Sequence, residues 1–237
     1  MLFDQTKCKK CGHVNPVYKN ICEQCKSFLR EKVANIDLWE TIRKIIEEPE
    51  SAFRQIIFSE HKNFIYFLIF IIATKNLIIT RFFSVPHLGS NGVTTSFVLS
   101  LVFALLITII LLSLITSIQL RIYYRKSIKL RFKDIYTVNS YVFIPYLFGL
   151  FFIFPVEIIV LGGNIFSNNP YSFQIKPAIT YILMGIEFIT AIWSFVLFYK
   201  SILVVGLNRI LSFNLTSFFF LLWLITLYIS SKIIFTI

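Results

Sequence analysis

Val93–Leu120 reads VTTSFVLSLVFALLITIILLSLITSIQL and holds no ionisable side chain. A helix needs roughly 20 apolar residues to cross a bilayer core of about 30 Å. At ~1.5 Å per residue this run exceeds that thickness, so tilt or protrusion is expected. Strands of a membrane barrel would instead be about ten residues long with strict alternation. No such pattern occurs here. Four more apolar runs have the same character, and the five spans are expected near 63–83, 93–120, 138–161, 178–200 and 216–236.

Composition agrees with this reading. Of 237 residues, 57% are hydrophobic and 15% charged, against about 25% charged in soluble domains. The fold class expected is an all-α polytopic membrane protein. It comprises a five-helix transmembrane bundle, a small N-terminal zinc ribbon (1–30) and amphipathic interfacial helices in a connecting segment (31–62), with the bundle occupying 63–237.

The net charge of +11 is unevenly distributed. Residues 1–62 are nearly balanced, whereas the remainder carries twelve Lys/Arg against only Asp134, Glu157 and Glu187. Arg121, Arg125, Lys126, Lys129, Arg131 and Lys133 fall between the second and third runs, and Lys200 and Arg209 between the fourth and fifth. The opposite loops hold little beyond Arg81 and Lys176. The positive-inside rule then places the N-terminus in the cytoplasm and the C-terminus across the membrane. Anionic lipid headgroups suit the basic 121–133 loop better than nucleic acid does. No apolar h-region precedes the first span, which is expected to act as an uncleaved anchor. In a prokaryote the address would be the inner (cell) membrane.

All four cysteines lie in one N-terminal block, Cys8-x2-Cys11-x10-Cys22-x2-Cys25. Two C-x-x-C pairs at this separation form two knuckles whose thiolates meet at one ion. Structural Zn2+ is the expected occupant, and iron in a tetrahedral sulfur site is the alternative. Four thiolates leave no open position for water, so metal catalysis is not expected. His13, adjacent to the first knuckle, is expected at the surface. A site built on reduced thiols belongs in a reducing compartment, which agrees with the side chosen by the loop charges.

Between ribbon and bundle, Ser27–Asn35 reads as a polar linker. Asp37 caps a helix with Glu40 three residues on, whose apolar face carries Leu38, Trp39, Ile42, Ile45 and Ile46. Pro49 opens a second short helix striped by Ala52, Phe53, Ile56 and Ile57. These helices either lie in the membrane interface or pack on the protein's own cytoplasmic face.

The stretch Ile46-Glu-Glu-Pro-Glu-Ser-Ala-Phe-Arg-Gln-Ile56, followed by Ser59-Glu-His-Lys-Asn63 and the first span, resembles the opening of a Yip1-family membrane domain. Arg131-Phe-Lys-Asp-Ile-Tyr-Thr-Val-Asn-Ser-Tyr141-Val-Phe-Ile-Pro145 is similar to the family's loop into span three. The resemblance covers roughly 46–237 and implies five spans. It also implies a non-enzymatic membrane protein, with vesicle traffic and binding of small GTPases as the role of eukaryotic members. The acidic-aromatic signature of those members is absent here.

Three ionisable groups fall inside the expected spans. Glu157 is close enough to the outer end of its span to reach the interface. Lys75 and Glu187 come out at similar depth with opposite charge and are expected to face each other. Charge there is costly unless paired, neutralised or wet. The pair is either a packing clamp or part of a proton- or ion-coupled path. Pro145 and Pro155 are expected to kink span three, and Tyr141 and Tyr146 read as interfacial aromatics. No nucleophile–base arrangement or phosphate loop occurs, so no enzyme is expected. Three roles remain open: a scaffold or adaptor docking an unknown cytoplasmic protein through the ribbon, a small transporter or channel using Lys75 and Glu187, and a metal or redox sensor. Assembly into oligomers is left open.

Overall fold

Leu- and Ile-rich runs without water to satisfy their backbone must bond it internally, and a helix does so within one segment. The computed structural model describes residues 5–16, 19, 21–29, 36–59, 61–84, 97–162 and 172–236. Residues 30–35 of the expected linker, 93–96 of the expected second span, and Gly163 and Asn164 after the third lie outside them, as does the side chain of Arg81.

The N-terminal module contains β1 (Gln5–Lys7) and β2 (Val14–Pro16), paired antiparallel with Thr6 opposite Asn15. Then come α1 (Leu38–Glu47), α2 (Pro49–Phe58), α3 (Ile65–Ser84) and α4 (Phe97–Arg125). These are followed by α5 (Phe132–Tyr141), α6 (Ile144–Phe148), a π-helical turn (Gly149–Ile153), α7 (Phe154–Leu161) and α8 (Ser172–Ile175). The long helices α9 (Pro177–Val204) and α10 (Arg209–Thr236) complete the chain.

Four stretches are long and apolar enough to cross a membrane: Val98–Arg125, Ile144–Leu161, Pro177–Val204 and Arg209–Ser231. Only 28–39% of the residues along them are buried. Ile110, Phe188 and Ile159 point outward, 65%, 66% and 82% exposed. A continuous apolar surface of this extent has no place in water. The protein is read as an integral membrane protein. The first expected span is α3, whose described apolar portion, Ile65–Thr80, is shorter.

Asp37 caps α1 by accepting the Glu40 N–H at 2.8 Å, and Pro49 is the first residue of α2. Both helices pack onto one end of the bundle, with α2 against α5 and α9. Ile42, Ile45, Ala52, Phe53, Ile56 and Ile57 join the main core. The α1 stripe is wider than its buried face, because Trp39 and Ile46 remain exposed. Lys200 on α9 ties this end down through Glu50 of α2 at 2.7 Å. Hydrogen bonding from the Lys200 ammonium holds the Glu50 carboxyl below its usual range.

The third expected span, 138–161, is not one helix. A turn at Val142–Phe143 separates α5 from α6. Pro145 has no N–H to give the Tyr141 carbonyl, so an unbroken helix would lose a bond there. Tyr141 and Tyr146 are fully buried rather than interfacial. Tyr146 packs 5.8 Å from the ring of Trp223 on α10. The apolar bodies of both tyrosines are worth more in the core than at a surface.

Candidate metal centre and buried charge cluster

The two halves of the ribbon repeat one backbone pattern. In the first, the Cys8 N–H donates to the His13 carbonyl at 2.8 Å and the Gly12 N–H to the Cys8 carbonyl at 2.9 Å. In the second, Cys22 N–H meets the Ser27 carbonyl at 2.9 Å and Lys26 N–H the Cys22 carbonyl at 3.1 Å. Each is a tight loop that turns its two sulfurs the same way. The fifth position of each loop must be left-handed: Gly12 has φ +71° and Lys26 has φ +56°. Glycine adopts this without strain, whereas lysine does so at a cost.

The four Sγ atoms all lie within 4.8 Å of one another. Cys8 and Cys25 are 3.6 Å apart, and Cys11 and Cys22 are 3.5 Å apart. A disulfide needs about 2.05 Å, so these are free thiols. A tetrahedron of metal–sulfur bonds near 2.3 Å has edges of about 3.8 Å. The spacing is thus compatible with a metal site and complete in its ligands.

Two neighbours support the cysteines. The Ser27 hydroxyl lies 2.9 Å from Cys25 Sγ and 3.2 Å from Cys8 Sγ. It holds the Cys8 thiol down to about 6, aided by the backbone of Cys11 and opposed by burial. A depressed thiol supplies thiolate, the ligand form, at neutral pH. Asn15 is fully buried and bridges the knuckles. Its Nδ2 donates to the His13 carbonyl at 3.0 Å and to Cys22 Sγ at 3.5 Å, while its Oδ1 accepts the Glu23 N–H at 2.9 Å. Ser27 therefore belongs to the site, not to a linker. His13 is half-buried and contributes its carbonyl. The internal repeat Cys-x-x-Cys-x-x would have revealed Ser27, whereas no sequence signal marks Asn15.

Inside the bundle, Lys75 of α3 is fully buried and its Nζ contacts Glu187 Oε1 of α9. Gly149 opens the π-helical turn directly over this lysine, and a Cβ there would sit 2.9 Å from Lys75 Cε. Glu157 does not reach the interface. It is wholly buried, both its oxygens lack a well-formed hydrogen bond, and it lies within electrostatic reach of Lys75 and Glu187. A separate small cavity between α3, α4 and α10, about 10 Å³ in volume, is lined by Asn76, Thr80, Thr108 and Ser230. That is room for about one water. Neither Lys75 nor Glu187 lines it.

A second charge cluster sits where α2 and α5 meet. Lys62 Nζ lies 3.1 Å from Asp134 Oδ1, with both side chains fully buried. The same ammonium donates to the carbonyls of Ile56 and Ile57 at the end of α2. Arg131 holds Asp134 through two bonds, Nε to Oδ2 and Nη2 to Oδ1, each 2.9 Å. Burial pushes Lys62 down to about 8, while Asp134 pulls the other way. Arg131 thus serves a structural carboxylate. Its place in a run of basic residues hid this.

No protein-family model matches the chain, and no curated protein or solved structure matches it.

Proposed function

We propose that this chain is a non-enzymatic membrane adaptor whose N-terminal ribbon binds structural zinc and docks a cytoplasmic protein. With α3 included the bundle has five spans, and the loop charges favour a cytoplasmic N-terminus. The single observation that carries the reading is the closed four-thiol cluster. With every ligand position filled by sulfur, the ion holds a surface in shape and leaves no place for substrate. That surface presents Phe28, 78% exposed, cross-strand from Ile21, 47% exposed. Exposed aromatic and aliphatic neighbours on a rigid module are what a docking site offers. The Yip1-like stretches around Pro49 and Pro145 support a scaffold role in membrane organisation or traffic. Exposed Trp39 and Ile46 of α1 fit contact with the headgroup region.

The experiment is site-specific photocrosslinking from position 28 in intact cells. A discrete protein adduct, lost in Cys22→Ser/Cys25→Ser and kept in Lys75→Met, supports the adaptor. An adduct indifferent to the cysteine changes, or none, refutes docking through the ribbon.

A second reading, a small transporter using Lys75 and Glu187, is favoured by one observation: Glu157 brings a third ionisable group to the same place. Solute or proton flux in proteoliposomes, abolished by Glu187→Gln, would select it.

A further inference from the structure

The cluster inside the bundle holds one ammonium and two carboxyl groups, from three helices. Fully ionised, Lys75, Glu187 and Glu157 would carry a net charge of −1 in a buried place. Lys75 is already committed to Glu187 through its Nζ. Glu157 has no ammonium of its own, is 0% exposed, and neither oxygen has a well-formed hydrogen bond. An isolated buried carboxylate costs far more than the proton that neutralises it. Glu187 Oε2 is likewise buried and without a partner, so the pair presents an open acceptor to a protonated neighbour.

The helix geometry is arranged for this encounter. Gly149 and Glu157 are eight positions apart (157 − 149), which in an unbroken α-helix turns through about 800° and leaves them roughly 80° out of phase. A π-helical turn accommodates about one extra residue. It withdraws about 100° and brings the two to within roughly 20° of each other. The π-helical turn spans Gly149–Ile153, between the two positions. It therefore sets Glu157 on the face where Gly149 meets Lys75. Such turns recur at functional sites. Tyr146, buried with its hydroxyl unpartnered, borders the cluster on the Glu187 side.

We propose that Glu157 and Glu187 form an intramembrane proton-binding site in which the two carboxyl groups share one proton beside the charged Lys75. Loaded, the cluster is ammonium, carboxylate and carboxylic acid, net zero. Releasing the proton to water leaves it at −1, which the apolar surroundings resist. The charged groups that face Glu157 are Lys75 from α3 and Glu187 from α9. The site stands whether or not the ribbon docks a partner, and whether or not a solute moves.

Infrared spectroscopy of the full-length protein in lipid nanodiscs, titrated from acid to alkaline pH, tests this. The wild type should show a buried carboxylic-acid C=O band at neutral pH that shifts in D2O. Glu157→Gln should remove it, because one carboxyl group then remains to pair with the Lys75 ammonium. Lys75→Met should strengthen it, since a second carboxyl group loses its counter-charge. Glu157→Gln mimics the protonated form, so its melting temperature at neutral pH should match the wild type and exceed it in alkali. A wild-type spectrum with no protonated carboxyl band at neutral pH overturns the proposal. So does a band that survives Glu157→Gln. Should Lys75→Met fail to fold, wild type and Glu157→Gln still decide.

Discussion

Replacing Asp134 by Asn removes the carboxylate shared by a buried lysine and a part-exposed arginine. Lys62 sits 3.1 Å from Asp134, and both side chains are fully buried. Arg131 adds two bonds of 2.9 Å each to the same carboxylate. Breaking a buried pair on one side typically costs 3–5 kcal/mol, because the remaining charge is stranded. Here like-charged Arg131, itself 33% exposed, stays close by, so a loss of about 4 kcal/mol is expected at neutral pH. Lys62 is pushed down to about 8 in the folded protein, below its ordinary 10.5. Between those values the unfolded chain binds more protons than the folded one, so stability rises with pH across that window. The gain amounts to roughly 3 kcal/mol. Below about 8 the contribution is flat. In Asp134→Asn the lysine loses its partner, the rise starts at lower pH, and the penalty shrinks in alkali. Lys62→Met/Asp134→Asn together should recover at least about 1 kcal/mol of the single-variant loss. Denaturation in mixed micelles, followed by helical circular dichroism over a pH series, measures all of this. Asp134→Asn within about 0.5 kcal/mol of wild type, with no pH slope in either protein, would overturn this.

Gly149→Ala forces Lys75 aside, because its Cβ would lie 2.9 Å from Lys75 Cε. It should cost about 1–3 kcal/mol in the same assay, and much less in a Lys75→Met background. Asn15→Ala and Ser27→Ala leave all four thiols in place but remove their supports. Each should weaken metal binding about tenfold or more in competition with a chromophoric chelator. Lys26→Gly relieves a left-handed φ of +56° and should stabilise the ribbon by about 1 kcal/mol. Gly12→Val, at φ +71°, should do the reverse, both read as the temperature at which metal is released.

The helical character and the grouping of cysteines were legible because they rest on local signals: apolar run length, and C-x-x-C spacing with a loop between. Asp37 and Pro49 were legible for the same reason, since caps and first-turn prolines act within one turn of chain. What escaped depends on tertiary partners. Glu157 looked close to an interface by its distance from a helix end. The π-helical turn, invisible in composition, rotates it inward instead. Tyr141 and Tyr146 carry the amphipathic chemistry of interfacial residues, and Tyr146 is buried against Trp223 of a distant helix. Lys62 and Asp134 are 72 positions apart (134 − 62), and nothing in either local sequence announces the pair. Asn15 is an ordinary strand residue until the second knuckle folds against it.

The proposed function stands on a metal-held ribbon ahead of a membrane bundle. Metal analysis of the purified full-length protein, beside titration of its thiols, tests it most directly. One zinc ion per chain, four thiols that react only after chelation, and loss of the ion in Cys22→Ser/Cys25→Ser are expected. A metal-free protein whose four cysteines react freely without chelator would contradict it.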